Sequence, residues 1–288
     1  MPSVTLPSPA KLNLFLHITG RREDGYHDLQ TLFQLLDYGD RLTFTTNHSG
    51  DITLSPQIEG LVADDNLIVR SAMLLQAKTG CTYGCDIALD KQLPMGAGLG
   101  GGSSNAATVL VGLNKLWRCN LEPDLLADMG RELGADVPVF VHGNSAFAEG
   151  IGELLTPIEI PEQWYLVITP NVQVSTTEIF SNPQLTRDTS PIKIRALPGE
   201  QYRNDCQSVV EMLYPAVKEA LNWIADYNNP LMTGTGASVF CCFDNQTEAA
   251  KALDLVPKHW SAFIARGANR SSLHRQLGNF FTGASPSG

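Results

Sequence analysis

A chain of 288 residues, 43% hydrophobic and 17% charged, has the length for one large or two medium domains and the composition of a folded globular protein. Its formal net charge of −10 argues against a nucleic-acid coat, and the sequence carries no N-terminal apolar segment or 18-residue apolar run that would support export or membrane insertion. Its six cysteines lack metal-type spacing: Cys81-x-x-x-Cys85 has no second pair or histidine tract, so the expectation is reduced thiols in the cytoplasm.

Taken in chain order, residues 12–18 read as a strand, and residues 42–46 and 52–54 continue the β character. Asp65 or Asn66 starts a helix to about Lys78, with Gly80 placed to end it. Residues 85–89 form another strand. A glycine-rich segment then leads straight into a helix over residues 103–117, whose buried face is Ala106, Leu110, Leu113 and Trp117. A second helix covers residues 122–133, and Gly134 closes it, leaving Ala135 and Asp136 on a tight turn before an apolar run at 137–141. Prolines 157 and 161 mark a connector. Beyond it come a strand at 164–168, helix-like runs over 209–227, a strand at 238–243, a helix at 247–255 and a further apolar stretch at 263–265. No internal repeat is visible, and the Ser285–Gly288 end reads as a frayed tail. Periodicity alone reaches an α+β chain in two layers or two lobes.

The most informative segment is Pro94-Met95-Gly96-Ala97-Gly98-Leu99-Gly100-Gly101-Gly102-Ser103-Ser104. Glycines permit positive φ and close approach of backbone to a ligand, and successive N–H groups then form a concavity suited to anions. Ser103 or Ser104 can cap the helix that follows, whose N-terminus adds its dipole to a phosphate site. No lysine follows the glycines, so this is not a Walker loop. Gly96-x-Gly98-x-x-Gly101 does match a dinucleotide fingerprint, but Pro94 interrupts the link to the preceding strand and a second helix follows where a strand is required.

The loop at residues 94–107 resembles the ATP loop of the GHMP kinases. Residues 9–16 (PAKLNLFL), 22–27 (REDGYH), 134–140 (GADVPVF) and 231–237 (LMTGTGA) resemble further motifs of the same family, and the likeness runs from about residue 7 to residue 274. It implies a two-lobed α+β architecture, with a ribosomal-S5-like N-terminal domain over residues 1–158, a ferredoxin-like C-terminal domain over residues 159–288, and the active site between them. The triple glycine points to the branch acting on diphosphocytidyl-methylerythritol, with transfer of the ATP γ-phosphoryl group to its 2-hydroxyl. A mevalonate or homoserine kinase is the alternative within the family. A nucleotide-binding oxidoreductase and a catalytically inactive nucleotide-binding module are the alternatives outside it.

The resemblance also implies roles. Asp136 is expected to be the base: it lies beside an apolar run, where partial desolvation would raise its basicity. Lys11, by default a solvated lysine, becomes its electrostatic partner, and Asn13 lies two residues on, on the same strand face. Residues 94–104 hold ATP, with Asn66 on the adenine side. Tyr26 and His27 are expected to hold the cytosine through a stacking face and a ring donor and acceptor. Phe180 is the second face of the stack, Thr176 a nearby polar contact, and Thr235 and Gly236 complete the cleft near the phosphates. ATP is expected as its magnesium complex, Ser103 or Ser104 contributing an oxygen, with no carboxylate cage. Ala97 stands where this family often has glycine, which an ordinary negative φ tolerates. No role is assigned to residues 278–288, and no protein partner is implied.

Overall fold

Two long antiparallel strands, β1 (Ser3–Arg21) and β2 (His27–Asn47), organise the first half of the chain. The computed structural model describes residues 3–57, 65–199 and 202–282. β2 serves several partners in turn. Its C-terminal part pairs with β4 (Gly84–Asp90), which carries β3 (Ile52–Ser55) in parallel on its other edge. Its N-terminal part pairs with β5 (Ala146–Glu149), followed by β6 (Leu154–Pro157). Between them, Leu35 and Leu36 pair with Ala268 and Gly267 of β10 (Ser261–Ala268), which joins this sheet to the antiparallel order β10, β7 (Trp164–Thr169), β9 (Val239–Phe243), β8 (Leu231–Met232).

The helices of the first half follow from their ends. α1 (Leu67–Thr79) is capped by Asn66, whose side chain accepts from the Ile68 N–H at 2.9 Å, and stops at Gly80 with φ 67°. α2 (Gly101–Leu116) is buried along Ser104–Asn114, including the expected Ala106, Leu110 and Leu113, and Trp117 lies beside it in the same core. It begins two residues earlier than the serines suggest. Gly100, at φ 71°, is its cap, and Ser103 and Ser104 sit inside the first turn. α3 (Pro123–Leu133) ends at Gly134 as expected. The apolar run 137–141 is a short helix, α4 (Val137–His142), because Pro138 suits a first helical turn and Gly143 at φ 68° supplies its left-handed end.

In the second half, α5 (Thr176–Ser181) precedes the helix-like runs expected over 209–227. They are two helices, α6 (Gln207–Leu213) and α7 (Pro215–Ile224), divided where Pro215 cannot continue α6 and instead opens α7. α8 (Gln246–Asp254) matches expectation within a residue and is capped by Asn245. Period-two alternation along β7 divides the cores: Leu166 and Ile168 face the core with α6 and α7, while Tyr165 and Val167 join Leu12, Leu14, Leu36, Leu99 and Phe240 in a core shared by both halves.

α9 (Ser272–Thr282) was not legible in the sequence and crosses back. Leu273 and Leu277 belong to the core of α1–α4, and Gln276 donates to the Thr5 carbonyl of β1 at 2.6 Å. The frayed end expected at 285–288 lies outside the described residues. Leu273→Ala is therefore expected to remove about 2–5 kcal/mol of stability, read by urea denaturation, with hydrogen exchange rising first in α2 and β1 rather than in β7.

Candidate active site

The two halves enclose a cavity of about 730 Å³. Its floor is set by irregularities in β1: the register against β2 shifts between Pro9 and Lys11 and again between Asn13 and Leu16, so Lys11, Leu12 and Asn13 form a short stretch bracketed by bulges. Backbone donors on the free edge of that stretch are taken from elsewhere in the chain. Lys11 N donates to the Leu99 carbonyl at 3.0 Å, and Asn13 N to Thr233 Oγ1 at 3.0 Å.

Lys11 is 3% exposed, which would be costly for an unpaired ammonium. Its three donors meet three oxygens: Asn13 Oδ1 at 2.5 Å, the Gly98 carbonyl at 2.9 Å and Asp136 Oδ2 at 3.4 Å, with the Phe33 ring centroid 5.4 Å from Nζ. Asp136 stands at the N-terminus of α4, makes no capping bond with its side chain, and keeps 34% of it open to the cavity. Lys11 is thus no surface lysine, and it joins β1, the glycine loop and α4 at one point.

The glycine loop alternates. Gly96, Gly98 and Gly100 have φ of 62°, 75° and 71°, whereas Ala97 does not take positive φ and is buried. A Cβ at Gly98 would lie 2.2 Å from the Thr233 carbonyl, and one at Gly100 would lie 2.9 Å from the Phe140 ring, so close approach as well as backbone conformation requires glycine there. Gly96, Gly98, Gly100 and Ser103 line the cavity. Of the remaining loop residues, Leu99 faces the shared core, and Pro94 and Met95 border a separate cavity of about 550 Å³. Gly101 and Gly102 open α2. Ser104 is fully buried and accepts from Ser8 Oγ at 2.9 Å, while Asn66 is buried as the α1 cap and does not line the cavity.

The second lobe closes the loop from the other side. Thr233, within the 231–237 motif, donates to the Gly98 carbonyl at 3.1 Å and lies 3.3 Å from Asn13 Oδ1. Gly234, Thr235 and Gly236 follow it along the cavity wall, with Thr235 and Thr176 sharing a hydrogen bond of 2.9 Å.

At the far end, Tyr26 (61% exposed), His27 (7% exposed) and Phe180 border the same cavity. His27 and Phe180 are in ring contact, centroids 5.2 Å apart at 30°. Burial, then the charges of Arg187 and Arg21, hold the His27 pKa below its ordinary value. Arg187 Nε donates to His27 Nε2 at 3.0 Å, a contact with no counterpart among the sequence expectations. The cavity therefore runs from a paired lysine and carboxylate at a glycine loop to an aromatic and imidazole end. Among the described residues no group of three or more His, Cys, Asp or Glu side chains is placed to hold a metal. Burial pushes the thiols of Cys85, Cys206 and Cys241 up to about 12, and none of the three lines this cavity.

The "GHMP kinases N terminal domain" profile matches residues 66–144 and the "GHMP kinases C terminal" profile matches residues 191–262. A curated protein of Pseudomonas syringae pv. syringae, 4-diphosphocytidyl-2-C-methyl-D-erythritol kinase, is 55% identical over 276 residues, 96% of this chain and 98% of its own. A crystal structure of 4-(cytidine 5'-diphospho)-2C-methyl-D-erythritol kinase superposes with a TM-score of 0.80 at 32% identity, covering 92% of this chain and 99% of that one. A mevalonate kinase structure shares the fold with a TM-score of 0.69 at 14% identity, over 93% of this chain and all of the other.

The two loop glycines separate conformation from crowding. Gly96→Ala, with nothing within 4 Å of the new Cβ, is expected to destabilise by about 1–2 kcal/mol, and Gly98→Ala by clearly more, in parallel urea unfolding curves.

Proposed function

The chain belongs to the GHMP kinases, among the 4-diphosphocytidyl-2-C-methyl-D-erythritol kinases, and from that membership we propose how its cleft carries out the reaction. It is an ATP-dependent small-molecule kinase of isoprenoid biosynthesis by the methylerythritol phosphate pathway. It phosphorylates the 2-hydroxyl of 4-diphosphocytidyl-2-C-methyl-D-erythritol, giving the 2-phosphate and ADP. The mevalonate and homoserine alternatives are not favoured, since the mevalonate kinase likeness extends to fold alone.

The observation that carries the mechanism is the Lys11–Asp136 pair at 3.4 Å, anchored to the carbonyl of Gly98. Phosphoryl transfer requires positioning and charge neutralisation more than covalent chemistry. The substrate oxygen forms a bond to the γ-phosphorus as the bond from that phosphorus to the β–γ bridging oxygen breaks. Asp136 receives the hydroxyl proton, and Lys11 offsets charge on the oxygen and keeps Asp136 oriented. The loop at Gly96, Gly98 and Gly100, together with the first turn of α2, cradles the triphosphate. Tyr26, His27 and Phe180 hold the cytosine, with Thr176, Thr235 and Gly236 between the two ends.

Magnesium fits this donor set as an ion carried by the phosphates, which takes few ligands from the protein. Ser103 and Asp136 both line the cavity while Ser104 is buried on Ser8, so Ser103 is the serine proposed to contribute an oxygen. When bound, magnesium neutralises phosphate charge. The compartment proposed is the cytoplasm, where ATP is supplied.

Two measurements test these assignments. With Mg-ATP and a coupled ADP assay, the diphosphocytidyl substrate should support turnover where mevalonate and homoserine do not. Asp136→Asn should then lower kcat by about 10²-fold or more with little change in KM, whereas unchanged kcat removes Asp136 as the base. Because the His27 pKa is lowered, the ring stays neutral as pH falls. KM for the cytidine substrate should be flat from neutral pH to about 6.5, where an unperturbed histidine is half charged, and rise only below it. A KM already rising at pH 7 overturns a neutral His27 in binding.

A further inference from the structure

The segment following α5 places Arg187 behind His27, and its guanidinium bonds to several groups at once. Nε contacts His27 Nε2 at 3.0 Å. Nη2 donates to the carbonyls of Phe180 at 2.9 Å and Asn182 at 2.7 Å, and Nη1 donates to the Leu185 carbonyl at 3.1 Å. A guanidinium has donors only and does not lose its proton in proteins, so the imidazole nitrogen facing it must be the acceptor. The contact therefore assigns Nε2 as the unprotonated nitrogen of His27. A neutral imidazole accepting at Nε2 carries its single proton on Nδ1. Protonating Nε2 as well would set two donors against each other at a residue that is only 7% exposed.

We propose that Arg187 is a positioning residue that fixes His27 as the Nδ1–H tautomer, so that the pyrimidine end of the cavity presents a ring donor and thereby selects cytosine over uracil. The selectivity rests on the cytosine assignment made above. Cytosine offers acceptors at N3 and O2, which a fixed Nδ1–H satisfies. Uracil carries a proton on N3, and two N–H groups then meet with neither paired. A site built around one hydrogen bond rejects the partner that cannot make it, because its own polar group is left unpaired. Through Nη2 the same guanidinium holds the Phe180 carbonyl, so one side chain sets both the proton on His27 and the backbone of the ring that contacts it. Arg187 need not touch the nucleotide to do this.

The tautomer is measurable without substrate. Histidine-labelled ligand-free enzyme, with the His27 signals assigned by their loss in His27→Asn, should show by nitrogen-15 NMR a protonated Nδ1 and a bare Nε2. A His27 protonated on Nε2 overturns the proposal. In steady-state kinetics, Arg187→Met should raise KM for the cytidine substrate about 10-fold with kcat within about threefold. It should also narrow the kcat/KM preference over the uridine analogue by about 10-fold. Asparagine at position 27 supplies an amide donor that needs no orienting arginine. In the His27→Asn background, Arg187→Met should therefore change KM by less than about twofold. An equal loss in both backgrounds makes Arg187 a loop anchor and overturns the positioning role. A wild-type enzyme indifferent to cytosine and uracil overturns the base assignment and the selectivity with it, while the NMR result decides the tautomer independently.

Discussion

A single buried ammonium sets the architecture of the cleft. Removing Lys11 from water is unfavourable by several kcal/mol unless its donors are met, and they are met by oxygens from three places in the chain: Asn13 on β1, Gly98 in the glycine loop and Asp136 at the start of α4. Satisfying that charge therefore brings the strand, the loop and the carboxylate to within one side-chain length of each other. Each partner is itself held. Asn13 donates to Thr31 at 2.8 Å, Gly98 is crowded against Thr233, and α4 packs on α2 and α3. The geometry that phosphoryl transfer needs is thus the geometry that makes the burial tolerable.

The second lobe acts on the same constellation at one remove. Thr233 donates to the carbonyl that Lys11 also uses, and Ser238 N donates to the Ala97 carbonyl at 3.2 Å, so the glycine loop is clamped between β1 and the turn before β9. The shared core beneath it, with Leu12 and Leu99 against Val167 and Phe240, ties the lobes by apolar contact as well. A loop rich in glycine would otherwise carry a large conformational entropy. Here its positive-φ residues alternate with Ala97 and Leu99, whose side chains are buried and fix the register.

Much of this was legible in the sequence, for identifiable reasons. Asn66 and Gly80 bracket α1 because capping is local chemistry, and β7 was visible because a buried strand reads as an apolar run. The start of α2 was misplaced because serine is a good cap and glycine a poor predictor of one, yet only glycine fits the left-handed conformation at position 100. The run 137–141 conceals its helix because a helix of six residues shows no period. Lys11, Asp136, Tyr26 and His27 were named through motif likeness, and the structure brings them to one cavity. Thr233 and Arg187 act across separations of 135 and 160 residues, to Gly98 and His27, and no local pattern encodes such a contact.

The return of α9 to the first core has a consequence for synthesis on the ribosome. Leu273 and Leu277 complete a hydrophobic cluster whose other members lie between Val4 and Ala148, yet they are translated after every strand of the second lobe. The N-terminal half therefore emerges with part of its apolar surface uncovered and stays so until α9 has been made. The first core is completed only after the strands of the second lobe have been made. An N-terminal fragment cut at the boundary between the lobes would expose that surface permanently and be prone to self-association and capture by chaperones.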